Sequence, residues 1–204
     1  MNATKNLKQD HILVNRLGKI AKRSSDLLYS NVVIPIEDIK IISMLIQEFV
    51  DKFHHGKEEK AYFPRMNDKN NYSEDIRKFL IEHELGRRIA KMLVQSLLAW
   101  DSGIDSREPV ARFLNAYSVF ISIHTGKENL FFDLIEERGS LSEEEHSLLM
   151  KHYKVCHSDA GGKARVEQMA KLIGYLEERD WMREQCDQLM IIDLAYSRAI
   201  IRLN

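Results

Sequence analysis

Three prolines and nine glycines are spread over 204 residues, and this scarcity of chain-breaking residues is the strongest constraint on the fold. Many short strands joined by tight turns would need such residues at almost every connection. A chain this poor in both reads as a few long helices, and an all-β architecture is excluded. The apolar residues recur accordingly. Leu13, Leu17, Ile20, Leu27 and Leu28 carry a first helix from about Leu7 to Tyr29, with Asp10 near its start and Ser30-Asn31 and Pro35 closing it. Ile39, Ile42, Ile46, Val50 and Phe53 mark a second from Ile36 to about Met66, with Pro64 near its end and a polar loop, Asn67 to Asn71, after it.

Ser73 with Glu74 and Asp75 opens a third helix, carried by Ile76, Leu80, Ile89, Leu93 and Leu97 to Trp100 and ended by Asp101-Ser102-Gly103. Ser106, Glu108 and Pro109 open a fourth, which runs through Val110, Phe113, Tyr117, Phe120, Leu130 and Leu134 to Arg138, where Gly139 supplies a stop. Ser142 with Glu145 forms a capping box for a fifth helix, Glu143 to about His157, ended before Gly161-Gly162. A last stretch spans Lys163 to Leu203, with a break near Asp180-Trp181. The pattern predicts an all-α chain: an up-down four-helix bundle over residues 1–139 and a helical C-terminal extension over 140–204.

Thirty Lys and Arg against thirty-one Asp and Glu leave a formal charge of -1. That balance asks for neither a nucleic acid nor an anionic membrane surface as partner. No apolar stretch has the length or purity of a secretion signal or membrane span, and Cys156 and Cys186 are too few for a disulfide framework. The expectation is a cytoplasmic protein with both thiols reduced.

Chemistry enters through an internal echo. His54-His55-Gly56-Lys57-Glu58-Glu59 and His124-Thr125-Gly126-Lys127-Glu128-Asn129 match at His, Gly, Lys and Glu, on two different predicted helices. A His and a Glu four residues apart share a helix face, so each segment offers an imidazole and a carboxylate to one point. The other two helices each add a histidine on an apolar background, His11 and His83. The set His11, His54, Glu58, His83, His124 and Glu128 is an N and O donor set without thiolate, suited to a pair of iron or manganese ions between facing helices. Zinc is less favoured, since a structural zinc site needs only four ligands. A single HxxxE is usually a solvated helix face; two copies with histidines on both remaining helices make the constellation specific. Gly56 and Gly126 stand mid-helix at the same offset, where glycine costs about 1 kcal/mol, and are expected to permit close approach of a helix or small ligand.

The segments DHILVNRL, HHGKEEKAYFPRM, EHELGRRI and HTGKENLFF resemble, in that order, those of the hemerythrin-like (HHE cation-binding) family, over about Asp10 to Gly139. The resemblance implies a four-helix bundle holding two iron ions, an oxo- or hydroxo-bridged non-haem Fe2+/Fe3+ centre that binds dioxygen or related small molecules. It implies His11 as first-helix ligand, His54 with Glu58 as the second-helix pair, His83 as third-helix ligand and His124 with Glu128 as the fourth-helix pair. The chain departs from the oxygen carriers one turn after His83, where they place a further histidine and this sequence has Arg87, which cannot ligate a cation. That departure argues against reversible oxygen carriage and for sensing, iron handling, or reaction with peroxide or nitric oxide.

Between the adjacent His54 and His55, α-helical geometry separates the two by about 100°, so only one is expected to face the cage. The echo selects His54, because the counterparts of His55 and Glu59 are Thr125 and Asn129. Tyr117, seven residues before His124, falls on the ligand face and reads as core or as a partner to a ligand. His152, Cys156 and His157 read as a partly buried thiol with neighbouring imidazoles rather than a soft-metal site. Met169, Leu172, Leu176, Met190, Ile191, Leu194 and Ile200 form a stripe suited either to packing on the bundle or to pairing with a second copy as a homodimer. The leading functional reading is a di-iron protein that binds or slowly reacts with dioxygen, peroxide or nitric oxide, closer to a binding protein than to a dedicated enzyme. The alternatives are an iron- or oxygen-sensing or iron-handling module acting through a protein partner, and a metal-free interaction bundle.

Overall fold

A computed structural model of the chain describes residues 2–183 apart from 68, 70 and 71. The distal half of the last predicted helix, with Cys186, Met190, Ile191, Leu194 and Ile200, and part of the polar loop lie outside the described residues. Among the described residues there is no strand. Helix α1 covers Ala3–Tyr29, beginning before the predicted start because the Asn2 side chain accepts from Lys5 N–H and caps it. The second bundle rod, 36–67, is not one α-helix: α2 (Ile36–Leu45) passes into a π-helical segment π1 (Ile46–His55), then a short π2 (Glu58–Tyr62) and α3 (Phe63–Asn67). Helices α4 (Ser73–Asp101) and α5 (Arg107–Glu137) complete the bundle.

The four rods pack in a closed ring, α1 against α5, α5 against α4, α4 against the π-containing rod, and that rod against α1. Short connections between sequential rods make the neighbours antiparallel. Gly103 and Gly139 follow α4 and α5 with φ of 93° and 58°, the left-handed region where glycine ends a helix without a Cβ clash. The inward residues of α1 (Leu7, His11, Val14, Leu17), α4 (Ile76, Phe79, His83, Ala90) and α5 (Val110, Leu114, Ile121, His124, Glu128, Phe132) alternate at three and four residues, as a half-buried helix requires. Leu80 and Leu130, expected in the stripe, face outward at 41% and 73% exposure.

Two apolar clusters result, one built around Val14, Leu17, Phe49, Phe53, Leu93 and Ile121, the other around Leu7, Tyr62, Phe63, Phe79, Phe132 and Tyr153. The candidate ligands lie between them on every rod. After the bundle, α6 (Glu143–Asp159) and α7 (Lys163–Glu177) run over α1 and the π-containing rod, followed by the single turn α8 (Asp180–Arg183). Leu149 and Tyr153 of α6 enter the second cluster, and Met169, Ile173 and Leu176 of α7 the first. Arg165 pairs with Glu48 at 2.7 Å, and the buried Asp38 accepts from Arg179 and from Trp181 Nε1, each at 2.8 Å.

Candidate metal centre

Each rod delivers its donors from the middle of its inward stripe: His11 from α1, His54 and Glu58 from the π-containing rod, His83 from α4, and His124 with Glu128 from α5. None of the six exposes more than 1% of its surface. The structure brings all six together. Glu58 directs Oε1 at His54 Nε2 and His11 Nε2, 3.5 and 3.8 Å away, and Oε2 at His83 Nε2, 3.5 Å away. Glu128 places Oε2 at 3.3 Å from His11 Nε2 and 3.2 Å from His124 Nε2, and Oε1 at 3.4 Å from His83 Nε2. Both carboxylates therefore span the cluster.

These contacts mostly exceed hydrogen-bond lengths. Nε2 of all four histidines and both oxygens of both glutamates are buried with no hydrogen-bond partner. Buried carboxylates left in that state cost several kcal/mol each, so the arrangement calls for cations. Donors that share an ion at about 2.0–2.2 Å stand roughly 3–4 Å apart, and the spacings here lie in that range. Protons can take part of the role. Burial opposes charge on His11 and His83, but the nearby carboxylates of Glu128 and Glu58, with Glu59 added at His83, outweigh it and raise both imidazoles to about 10. Burial would raise Glu128 in turn, yet His124, His11 and His83 hold it well below the ordinary carboxylate range.

The outward nitrogens tell the opposite story, because every one is satisfied. His54 Nδ1 donates to Asp10 at 3.4 Å, His83 Nδ1 to Glu59 at 2.7 Å, His124 Nδ1 to Glu82 at 2.8 Å and His11 Nδ1 to Asn129 at 2.8 Å. These acceptors form a closed ring around the bundle: α1 serves the π-containing rod, that rod serves α4, α4 serves α5, and α5 serves α1. An acceptor on Nδ1–H fixes the tautomer, aims Nε2 inward and raises its basicity, which is how metal-binding histidines are usually supported. Three acceptors are gripped in turn by a cation one turn beyond the histidine they serve. Lys57, 1% exposed, reaches Asp10 at 2.6 Å; Arg87 reaches Glu59 at 2.5 Å; Lys127 reaches Glu82 at 2.5 Å. The lysine shared by the two echoed motifs thus has one task in both. Arg87, which breaks the oxygen-carrier pattern, performs the same task for His83.

This outer ring escaped the sequence reading. Its signal was present, since each acceptor is the chain neighbour of an inner donor in Asp10-His11, Glu58-Glu59, Glu82-His83 and Glu128-Asn129. Two expectations need correction. His55 does not turn away: it is 3% exposed, its ring stacks on His83 at 3.8 Å, and one of its nitrogens falls within a mutual 4.8 Å of those of His83 and His124. The rod is packed on several sides here, against α1, α4 and α6, and residues 53–58 are all buried, so a separation of about 100° between neighbours does not carry His55 to the surface. Burial, reinforced by the neighbouring His83, His54 and His124, pushes His55 far below the ordinary imidazole value.

The second correction concerns the echoed glycines. A Cβ at Gly56 or Gly126 would meet nothing within 4 Å, so neither marks a close approach within the chain. Close approach occurs instead at Gly18, 2.9 Å from Ile121, and Gly86, 2.7 Å from the Phe120 ring that stacks on His124. Tyr117 is core, packed beside Phe120. Cys156 is a free, buried thiol donating to the Gly56 carbonyl at 3.6 Å, while His152 is exposed.

No helix among the described residues is long and apolar enough to cross a membrane. Comparison with curated proteins and with solved structures returns no match. A family-wide sequence model, the hemerythrin HHE cation binding domain, matches residues 2–135, a span that contains the bundle up to the last two residues of α5 and all six candidate ligands, and the chain belongs to that family.

Proposed function

We propose that this chain is a non-haem di-iron protein that binds, or reacts slowly with, dioxygen, peroxide or nitric oxide. One observation carries the reading: the inward atoms of the four histidines and two glutamates are all buried without partners while every outward Nδ1 is satisfied. His11, His54, His83 and His124 would hold the metals with Glu58 and Glu128 spanning them, and bound iron would supply one-electron redox change and a place for a small ligand. The protein's own residues do the rest. Asp10, Glu59, Glu82 and Asn129 keep the proton on Nδ1 and leave each Nε2 lone pair directed inward. Phe63, Phe120 and Phe132 stack on His83, His124 and His11 with centroids 5.8, 5.3 and 5.6 Å apart, limiting water at the cluster.

The alternative, iron or oxygen sensing or iron handling through a protein partner, draws on the extension. Cys156 of α6 touches Gly56 between the π segments, and Arg165 of α7 holds Glu48 on the same rod, so a change at the ligands has a contact route to α6 and α7. Elemental analysis of protein purified from iron-supplemented cells tests the first reading, with about two iron ions per chain expected. Stopped-flow mixing of the reduced protein with oxygen, peroxide or nitric oxide then identifies the ligand. Aerobically reconstituted protein without stoichiometric metal would overturn the proposal.

A further inference from the structure

The position one turn after His83 carries Arg87, whose guanidinium points to Asp51 and Glu59, at 2.8 and 2.5 Å, and not into the cluster. Among the described residues of α4, His83 is therefore the single imidazole at the cluster. The π-containing rod brings in another. His55 is buried beside His83 and His124, and both of its ring nitrogens lack a hydrogen-bond partner. An imidazole sealed from water with neither nitrogen satisfied is costly, and packing gives no reason for it, since a phenylalanine ring would fill the same stack. Its surroundings repeat those of the other histidines. Nδ1 lies 3.5 Å from Asp51, one turn earlier, and Arg87 holds Asp51 as it holds Glu59. A cation, a carboxylate and an imidazole stand in the same order here as at His54, His83 and His124, with the same Arg87 as anchor, but Asp51 is too far from Nδ1 for a hydrogen bond, so both ring nitrogens stay uncommitted.

We infer that His55 is a seventh protein ligand, completing with His83 and His124 a three-imidazole end of a divalent or trivalent iron pair. The inference rests on the di-iron reading above and deepens it. His11 and His54 with Glu58 and Glu128 form the other group of mutually close donors, so the two ends are unequal: three imidazoles at one, two at the other, with both carboxylates reaching across.

The test compares the full-length wild-type chain with His55→Phe and His55→Ala after reconstitution with ferrous iron under anaerobic conditions, followed by oxidation. His55→Phe keeps the stack on His83 and removes both nitrogens. Iron content, a chelator-competition titration and Mössbauer spectra are read, with thermal unfolding of the metal-free forms as the measure of folding. The expected result is a metal-free Phe variant as stable as wild type, iron affinity at one end weakened about tenfold or more, and one of two Mössbauer doublets displaced. For His55→Ala, millimolar imidazole is expected to restore the lost iron by occupying the vacated position. This second variant answers the same question if phenylalanine disturbs the fold.

Two iron ions in both variants, with wild-type affinity and wild-type doublets, would overturn the seventh ligand and leave the di-iron reading standing. A wild-type chain that takes up no iron would overturn the di-iron reading itself, and this inference with it.

Discussion

Replacing glycine by alanine at four mid-helix positions separates packing from propensity in a single experiment. At Gly18 the new Cβ would lie 2.9 Å from Ile121 Cγ2, and Ile121 is fully buried. A β-branched methyl has little rotamer freedom to withdraw, so α1 and α5 must part slightly, at the roughly 1–3 kcal/mol typical of overpacking. Against this stands a gain of up to ~1 kcal/mol from replacing a helical glycine. At Gly56 and Gly126 only the gain remains, because nothing lies within 4 Å of the added carbon and the backbone at Gly56 (φ -58°, ψ -36°) accepts any residue. Thermal unfolding of metal-free protein, followed by circular dichroism, gives the comparison. With about 2–4 °C per kcal/mol for a chain of this size, Gly56→Ala and Gly126→Ala are expected to melt up to a few degrees above wild type, and Gly18→Ala about 2–12 °C below Gly126→Ala. The last difference isolates the steric cost, since propensity cancels. Gly86→Ala meets a ring edge that can swing and is expected to fall between them, with a change at His124 through Phe120. A Gly56→Ala variant that is destabilised, or that loses metal while remaining folded, would refute the reasoning and show that the echoed glycine makes room for something bound at the centre.

Further outcomes follow from the site, its supports and the cap of α6. His54→Ala and Glu58→Ala are each expected to lose stoichiometric metal by elemental analysis, and wild-type protein with metal at 100 times its Kd should gain about 2.7 kcal/mol over the metal-free form; equal melting temperatures with and without metal would contradict the cage. Glu82→Gln retains an acceptor for His124 Nδ1 but loses the charge held by Lys127, so metal affinity should fall about 10–100-fold in a chelator competition, and unchanged affinity would remove the outer ring from the account. Ser142→Ala breaks the capping box of α6 and should cost about 1 kcal/mol in denaturant unfolding. The Glu145 carboxyl in that box is held down to about 2 by Lys69 and the Ser142 N–H. A depressed carboxyl stabilises above its ordinary value near 4.5 and loses that contribution as pH falls toward 2, so Glu145→Gln should flatten this part of the pH–stability curve.

Much of this molecule was legible in one dimension because its signals are local. The long rods follow from apolar residues at three- and four-residue spacing with few breakers, and four of the inner donors announce themselves as His and Glu four apart in two matching segments. The capping box at Ser142 and the stops at Gly103 and Gly139 are properties of a few adjacent residues, and they appear where the sequence places them. In the sequence Arg87 reads as an interruption of a ligand pattern, because its partners Asp51 and Glu59 lie on another rod. The ring of acceptors is hidden for the same reason: Asp10 beside His11 looks like part of the α1 ligand and serves His54 instead.

His55 shows the limit most clearly. Its exclusion assumes that one side of the rod is buried, whereas α1, α4 and α6 pack around it and bury all of residues 53–58, which no periodicity of apolar residues records. The repeated Gly56 and Gly126 suggested closeness that exists at Gly18 and Gly86, because the distance between two helices depends on both partners. By itself the amino-acid sequence determined the helices, their inward faces and the donor types. Tertiary structure alone decided which neighbour satisfies each histidine and that His55 joins the cluster, because those depend on distances and rotations between rods that local pattern does not encode.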